Sequence, residues 1–428
     1  MESTGRVFLV GVLVFALAGA AFAAVSSSDF VAHLDRQVHA ISCSYAPGAG
    51  GLDETGSSGC YTALMSPFSS VLRAQTWGGI PIALPGLALF AYLFFIALYF
   101  SAAPQAFDRH SSRFLVLATL LPVGASAYYL YVSVSIIGAV CKLCVGMYVA
   151  SGGVFLFSVF AHLGARRARF FVQEVPWGRY AGLFAEGVLF VAVPVALYLA
   201  LKPLPAAADT QCGSLMYPED KYGVMVRVNR APGGRAAIEV IDPLCPACAA
   251  FAGRLGGTEY LSSLDIRGVM FPLDKECNWM VPQTVHPGAC AVSEAVLCAG
   301  NAKAKDVLAW AFAENEKVRT AAKNDPQAGY AAVKKAFPDL SDCLGGAEVK
   351  SRLNKSLRWA VSNALPVSTP QLFVDGRRLC EEDTDLGLEY ALRTLMELPA
   401  ALGRDAPAAS SPAAQAPKPA DGKRPKAK

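Results

Sequence analysis

Residues 139–148 read Ala139-Val140-Cys141-Lys142-Leu143-Cys144-Val145-Gly146-Met147-Tyr148, a Cys-x-x-Cys pair at the mouth of an apolar run that continues to Leu163. A bilayer crossing needs about 20 mostly apolar residues, and this run supplies them. On a helix, positions i and i+3 share a face, so the two sulfurs address one site. Lys142 between them favours the thiolate. Two small buried core residues, or half of a zinc site, are the other readings of such a pair.

Working outward, four more segments are long and apolar enough to span: Val7–Val25, Ile82–Phe100, Phe114–Ile137 and Ala181–Leu201. With Ala139–Leu163 that makes five, the third and fourth joined by a hairpin near Gly138. Arg6, the apolar run and the small residues Ala21, Ala23 and Ala24 give the first segment a second reading, a cleavable signal peptide. The composition agrees with a membrane protein: 54% hydrophobic and only 17% charged residues, against about 25% charged in soluble domains. Such apolarity excludes disorder as the main state. A net charge of +4 over 428 residues leaves no nucleic-acid footprint, so no nucleic-acid partner is expected.

Basic residues set orientation. Arg109 and Arg113 lie between spans two and three, and Arg166, Arg167, Arg169 and Arg179 precede span five, so these stretches are expected in the cytoplasm. Residues 26–81, with Asp29, Asp35, Asp53 and Glu54 against Arg36 and Arg73, then lie outside, as does everything after span five. In a bacterial cell that is a multi-pass inner-membrane protein with a periplasmic C-terminal domain. Glu186 inside span five is read as reaching the membrane interface.

Cys43 and Cys60 fall in the outside loop, among Gly, Ser and Pro residues from Pro47 to Gly59. A mobile loop disulfide above a membrane dithiol can act as an electron shuttle, because exchange needs a thiolate with access to a disulfide sulfur. A loop pair, Gly79-Ile80-Pro81 entering span two and Cys-x-x-Cys opening span four together resemble the vitamin K epoxide reductase family over roughly residues 7–165. The resemblance implies a four-helix membrane bundle around a quinone, with Cys144 facing the quinone and Cys141 exchanging with the Cys43/Cys60 pair. Ser66 and Tyr148 match positions that the family places near the quinone; Ser66 can also simply cap a short helix. Ile82 or Ala83 stands where vitamin-K-reducing members often carry Asn, which argues against epoxide reduction.

The second Cys-x-x-Cys pair lies far downstream. Residues 235–248 read Arg-Ala-Ala-Ile-Glu-Val-Ile-Asp-Pro-Leu-Cys-Pro-Ala-Cys: an apolar β-branched run, a turn, then Cys245 and Cys248 opening a helix. A helix N-terminus carries partial positive charge and lowers the pKa of Cys245, the more exposed of the pair. About 120 residues later comes Ser368-Thr369-Pro370-Gln371-Leu372-Phe373-Val374. The combination resembles the thioredoxin superfamily, and the long helical stretch between resembles its DsbA-like branch; the resemblance implies that Pro370 is cis and sits against the active disulfide. Six cysteines remain: Cys212, Cys277, Cys290, Cys298, Cys343 and Cys380. Proximity favours a structural Cys277–Cys290 disulfide. Cys298 and Cys343 are placed in predicted helices. His286, between Cys277 and Cys290, is read as a loop histidine, and no metal is expected.

The fold expected is therefore a membrane α-helical bundle followed by an α/β thioredoxin-like domain. The bundle with its Cys loop spans 1–165, a cytoplasmic loop and fifth span 166–201, the outer domain 202–402, and a Pro/Ala/Lys tail 403–428. The function expected is a quinone-dependent thiol oxidoreductase of the bacterial envelope that oxidises secreted client thiols. Its partners are those clients, the quinone pool and membrane lipid. Electrons pass from Cys245/Cys248 to Cys43/Cys60, then Cys141/Cys144, then quinone, with tethering in place of mutual affinity. Two alternatives stand beside it: quinone or quinone-epoxide reduction fed by the outer domain, and a binding module tethered by an inert bundle.

Overall fold

The computed structural model describes residues 4–35, 59–167, 177–202, 212–380 and 383–397. Five of its helices are long and apolar enough to cross a membrane. They are α1 (Val7–Ala32), α3 (Ala83–Ala102), α4 (Arg109–Tyr131, continued by a wider π-helical turn over Val132–Ile137), α5 (Lys142–Arg167) and α6 (Trp177–Leu201), with the short α2 (Gly59–Met65) between the first two. The arrangement is compatible with a multi-pass membrane bundle.

The helix ends differ from the expected spans for local reasons. Helix α1 runs on to Ala32 through Ser26-Ser27-Ser28-Asp29, because Ser27 and Asp29 are buried rather than facing lipid. Helix α4 starts at Arg109, where the Asp108 side chain accepts the Ser111 N–H at 2.7 Å as an N-cap. Helix α5 begins only at Lys142. Gly138 takes a left-handed conformation (φ 69°) that ends the preceding helix, and the chain stays irregular through Cys141. Cys141 therefore precedes the helix rather than lying on its first turn.

Helix α1 packs against α3 and α5, and α4 against α5. Leu9, Val12 and Ala16 meet Leu93, Ile96, Phe100 and Val154 in one core, and Phe15 stacks on Phe157 with ring centroids 5.6 Å apart. Helix α6 stands at the edge of this bundle with no buried residue. It is tied to α3 by Tyr92, whose hydroxyl donates to the Leu183 carbonyl at 2.6 Å. Glu186 is half-buried one turn further on.

Between α2 and α3 a small hairpin pairs β1 (Ser70–Val71) with β2 (Ile80–Pro81) and projects a tip carrying Arg73, Ala74 and Trp77.

The C-terminal region is a five-stranded mixed sheet with helices. Its strands are β3 (Val226–Asn229), β4 (Arg235–Ile241), β5 (Leu264–Met270), β6 (Gln371–Val374) and β7 (Arg377–Arg378), in the order β3-β5-β4-β6-β7. Only β4 and β5 run parallel, joined by a crossover through α7 (Pro246–Gly256). Helices α8 (Ala289–Ala313), α9 (Asn315–Asn324), α10 (Ala328–Ala336) and α11 (Ala347–Ser362) fill the chain between β5 and β6, and α12 (Leu388–Glu397) closes it. The sheet is covered on both faces. Phe251, Leu255 and Leu392 pack with Ala237 and Ile266, while Trp359 and Leu357 pack with Val240 and Phe373.

Three disulfides staple this region: Cys212–Cys380, Cys277–Cys290 and Cys298–Cys343, with Cα separations of 5.3, 5.9 and 5.9 Å. Cys298 lies in α8 as expected from the sequence, but Cys343 lies in a turn after a 3-10 segment. Gly345 beyond it has φ +76°, a conformation that ends helices rather than continuing them.

The two halves share a built seam. Phe30, Leu34, Met65 and Trp77 from the helical half enclose Leu386, and Tyr390 packs against them. At its rim Arg73, almost fully buried, pairs with Glu389 at 3.7 Å, and Arg393 donates to the Ala74 carbonyl at 3.4 Å. A flexible tether without mutual affinity is thus replaced by an apolar interface with a polar rim.

Candidate functional site

The first site is a cleft of about 370 Å³ in the helical half, of the order of small ligand pockets. Its polar lining includes Asp29, Cys60, Ser66, Cys141, Cys144 and Tyr148; most of the rest is apolar, with Leu89, Phe90, Pro122 and Met147 among it. Cys60 and Cys141, each 6% exposed, pack together with Leu64, Leu143 and Cys144. Cys60 is a disulfide cysteine, whereas Cys141 and Cys144 stand as thiols. Cys43 lies outside the described residues.

Two local features create that cluster. Cys141 sits just before α5, and its sulfur accepts the Cys144 N–H at 3.4 Å, so a thiolate there faces the helix N-terminus. Helix α2 approaches so closely that a Cβ on Gly59 would lie 2.5 Å from the Val140 carbonyl oxygen; only glycine lets Cys60 reach this position. Tyr148 lies one helical turn beyond Cys144 on the cleft wall. The Ser66 hydroxyl donates to the Ala63 carbonyl at 2.8 Å. Ser66 makes no side-chain cap on the 3-10 turn that follows; its hydroxyl instead satisfies a carbonyl in the last turn of α2.

The second site lies in the C-terminal region. Cys245 is the N-cap residue of α7, and Cys248 is fully buried one turn in. Cys245 is 4% exposed, so it is the less buried of the two but no open thiol. Its sulfur lies 3.7 Å from the Thr369 carbonyl, and the Thr369–Pro370 bond is cis. The hydrogen bond with Cys248 holds the Cys245 thiol down to about 6 against the opposing effect of burial, while burial pushes Cys248 up. Of the two, Cys245 is the thiol more readily converted to the thiolate.

Two buried carboxylates of this region, Asp242 and Glu239, were not singled out from sequence, and a third ionisable residue, His286, was read there without a partner. Asp242, fully buried, accepts the Leu244 N–H at 2.8 Å on one oxygen; the other accepts the Leu273 N–H at 2.8 Å and His286 Nδ1 at 2.6 Å. His286 lies in the irregular segment before α8, as expected from the sequence, but is buried there at 7% exposure. Burial lowers its pKa, but the Asp242 bond and charge prevail and raise it. Glu239 in β4 is buried on the face shared with Ala237 and Ile241, and burial lifts its carboxyl to about 7. A glutamate inside an apolar β-branched run was the available signal. Among the described residues no group of three His, Cys, Asp or Glu side chains could hold a metal.

The structure brings Cys60 to Cys141 and Cys144 but not to Cys245. The seam is met by the far end of α7, where Gly257 lies against Pro67 and Arg254 donates to Thr384. The 11-residue helix sets Cys245 roughly 16 Å from that end.

Fold and site together describe a multi-pass helical bundle whose apolar cleft opens on a cluster of cysteines. The family model for the vitamin K epoxide reductase family matches residues 10–159, which cover α1, α2, α3, α4 and most of α5 with the cleft cysteines, and supports an oxidoreductase. No curated protein and no solved structure matches the chain.

Proposed function

We propose that the chain is a membrane thiol oxidoreductase that makes disulfides in other proteins and delivers the electrons to a quinone. The observation that carries this reading is the packing of Cys60 against Cys141 and Cys144 at the mouth of an apolar cleft.

The cleft residues fit a quinone. Their walls are apolar enough for a flat ring, Tyr148 offers a hydroxyl to a carbonyl oxygen, and Cys144 lines the same space. A bound quinone would accept two electrons and two protons. On the protein side, Cys144 would face it while Cys141 exchanges with the Cys43/Cys60 pair. The 212–397 region supports a thioredoxin-like, DsbA-related reading: a Cys-x-x-Cys pair at a helix N-terminus stands against a cis-proline on a central sheet. Client thiols would reduce Cys245–Cys248, and the loop pair would reoxidise it. Each client disulfide costs two thiols and passes two electrons along three cysteine pairs. The basic residues flanking the spans support a C-terminal domain on the periplasmic side of a bacterial inner membrane, where such clients emerge.

The test uses the full chain in detergent or lipid, a reduced unfolded client and a soluble quinone. Quinol should form in step with client disulfides, and both should stop in Cys144→Ala and Cys245→Ala. Absence of quinone reduction where a control oxidase works would leave a tethered binding module instead.

A further inference from the structure

Asp242 and His286 form a buried hydrogen-bonded pair, with Asp242 three residues ahead of Cys245. Asp242 is bound through both oxygens, and its backbone carbonyl also accepts the Cys245 N–H at 3.1 Å. His286 is fixed from both sides: its own N–H donates to the Leu273 carbonyl at 3.1 Å, and its carbonyl accepts the Ala289 N–H, also at 3.1 Å, where α8 starts. The Cys277–Cys290 disulfide brackets the segment. Neither residue belongs to the sheet ladder or an apolar cluster, so their burial calls for a purpose beyond packing.

The carboxylate on its own opposes a negative sulfur at Cys245, since a like charge disfavours the thiolate. A protonated imidazole at 2.6 Å cancels that charge. The groups facing His286 are Asp242 and Cys245, which favour its proton, and Arg319, which opposes it.

We propose, building on the disulfide-forming reading above, that His286 is a positioning residue for Cys245: clamped by Asp242, it supplies the positive charge that the Cys245 sulfur faces when it leaves as a thiolate. A client thiolate attacks Cys245; the Cys245–Cys248 bond breaks, and Cys248 leaves and takes up a proton. The client's second thiolate then attacks the client sulfur of the mixed disulfide. The bond to Cys245 breaks, the client is oxidised by two electrons, and Cys245 departs as the thiolate. His286 acts at this last departure and touches no substrate.

The test reads Cys245 itself. In the full chain with the pair reduced, the rate of Cys245 alkylation is followed against pH by peptide mass. His286→Gln keeps a donor for Asp242 but not the charge, and should shift the alkylation midpoint upward by about one pH unit with the fold intact. Arg319→Gln should move the midpoint downward, because the imidazole then keeps its proton through the range in which Cys245 titrates. An unmoved midpoint in folded His286→Gln would overturn the proposal. Should that variant fail to fold, an unmoved midpoint in Arg319→Gln would do so. Neither readout involves quinone turnover, so failure here is distinct from failure of the disulfide-forming reading.

Discussion

Trp77, at the tip of the β1–β2 hairpin, stands edge-on to Tyr390 of α12, with ring centroids 5.9 Å apart and ring planes at 90°. The contact joins the helical half to the C-terminal region and sits among Phe30, Leu34, Met65 and Leu386. The Trp77 ring N–H donates to the Leu34 carbonyl at 3.1 Å, and the Trp77 carbonyl accepts from Lys202 at 2.7 Å. A side chain on Gly387 would run into the indole ring. The seam is thus anchored by one aromatic residue held on three sides.

Trp77→Ala should cost about 3–5 kcal/mol of docking energy. Gly387→Leu should separate the halves by steric conflict alone. Cross-linking between cysteines placed at Ala74 and Arg393, whose parents are hydrogen-bonded, reports docking and should fall sharply in both variants. Client-driven quinone reduction should fall with it, while reduction by a small membrane-permeant dithiol should persist.

Gly59→Val should displace α2 from Val140 and take Cys60 away from Cys141. In a Cys144→Ala background, the mixed disulfide trapped between Cys141 and the loop pair should drop at least about tenfold, because attack requires access to the disulfide sulfur. An undiminished yield of the trapped species would show that α2 does not set this approach.

Acidity should favour the fold of the C-terminal region. Glu239 holds its proton to about pH 7 in the folded protein, while the unfolded chain releases it near pH 4.3. Over that window the folded state binds the extra proton, so stability falls as pH rises through it. His286, with a raised folded pKa, contributes stability that is complete below its unfolded value and is lost as pH rises through the folded one. Both terms weaken the fold as pH rises, that of Glu239 from its unfolded value up to about 7 and that of His286 from its unfolded value upward. Glu239→Gln should raise the thermal midpoint at pH 8 and leave it nearly unchanged at pH 5, and scanning calorimetry at the two values checks this.

Loss of the Cys277–Cys290 disulfide should cost about 2–3 kcal/mol, as expected for a loop of this length. It should also loosen His286, which lies inside the loop. Cys277→Ser/Cys290→Ser is therefore expected to lower the denaturation midpoint and raise hydrogen exchange at residues 284–288, with α12 unaffected.

Much of the fold was legible in the order of residues because its signals are local. Twenty apolar residues in a row fix a crossing wherever they occur, and Cys-Pro-Ala-Cys after a β-branched run announces a strand, turn and helix. Proximity alone suggested Cys277 with Cys290. Helix ends were less legible. The polar end of α1 is buried and the glycine at 138 delays α5, and neither effect shows in mean hydropathy.

The sequence by itself determined a bundle of five spans, a cysteine pair at the head of one of them, and a second pair at a helix start beyond the membrane. Only the tertiary structure decided that Cys60 meets Cys141, that Cys212 bonds Cys380 across 168 residues, that Asp242 holds His286, and that Trp77 clasps Tyr390. The physical reason is range. Spans and motifs follow from hydrophobic transfer and hydrogen bonding within a few residues, whereas these pairings depend on how packed elements arrive at one place, and sequence separation carries no record of that.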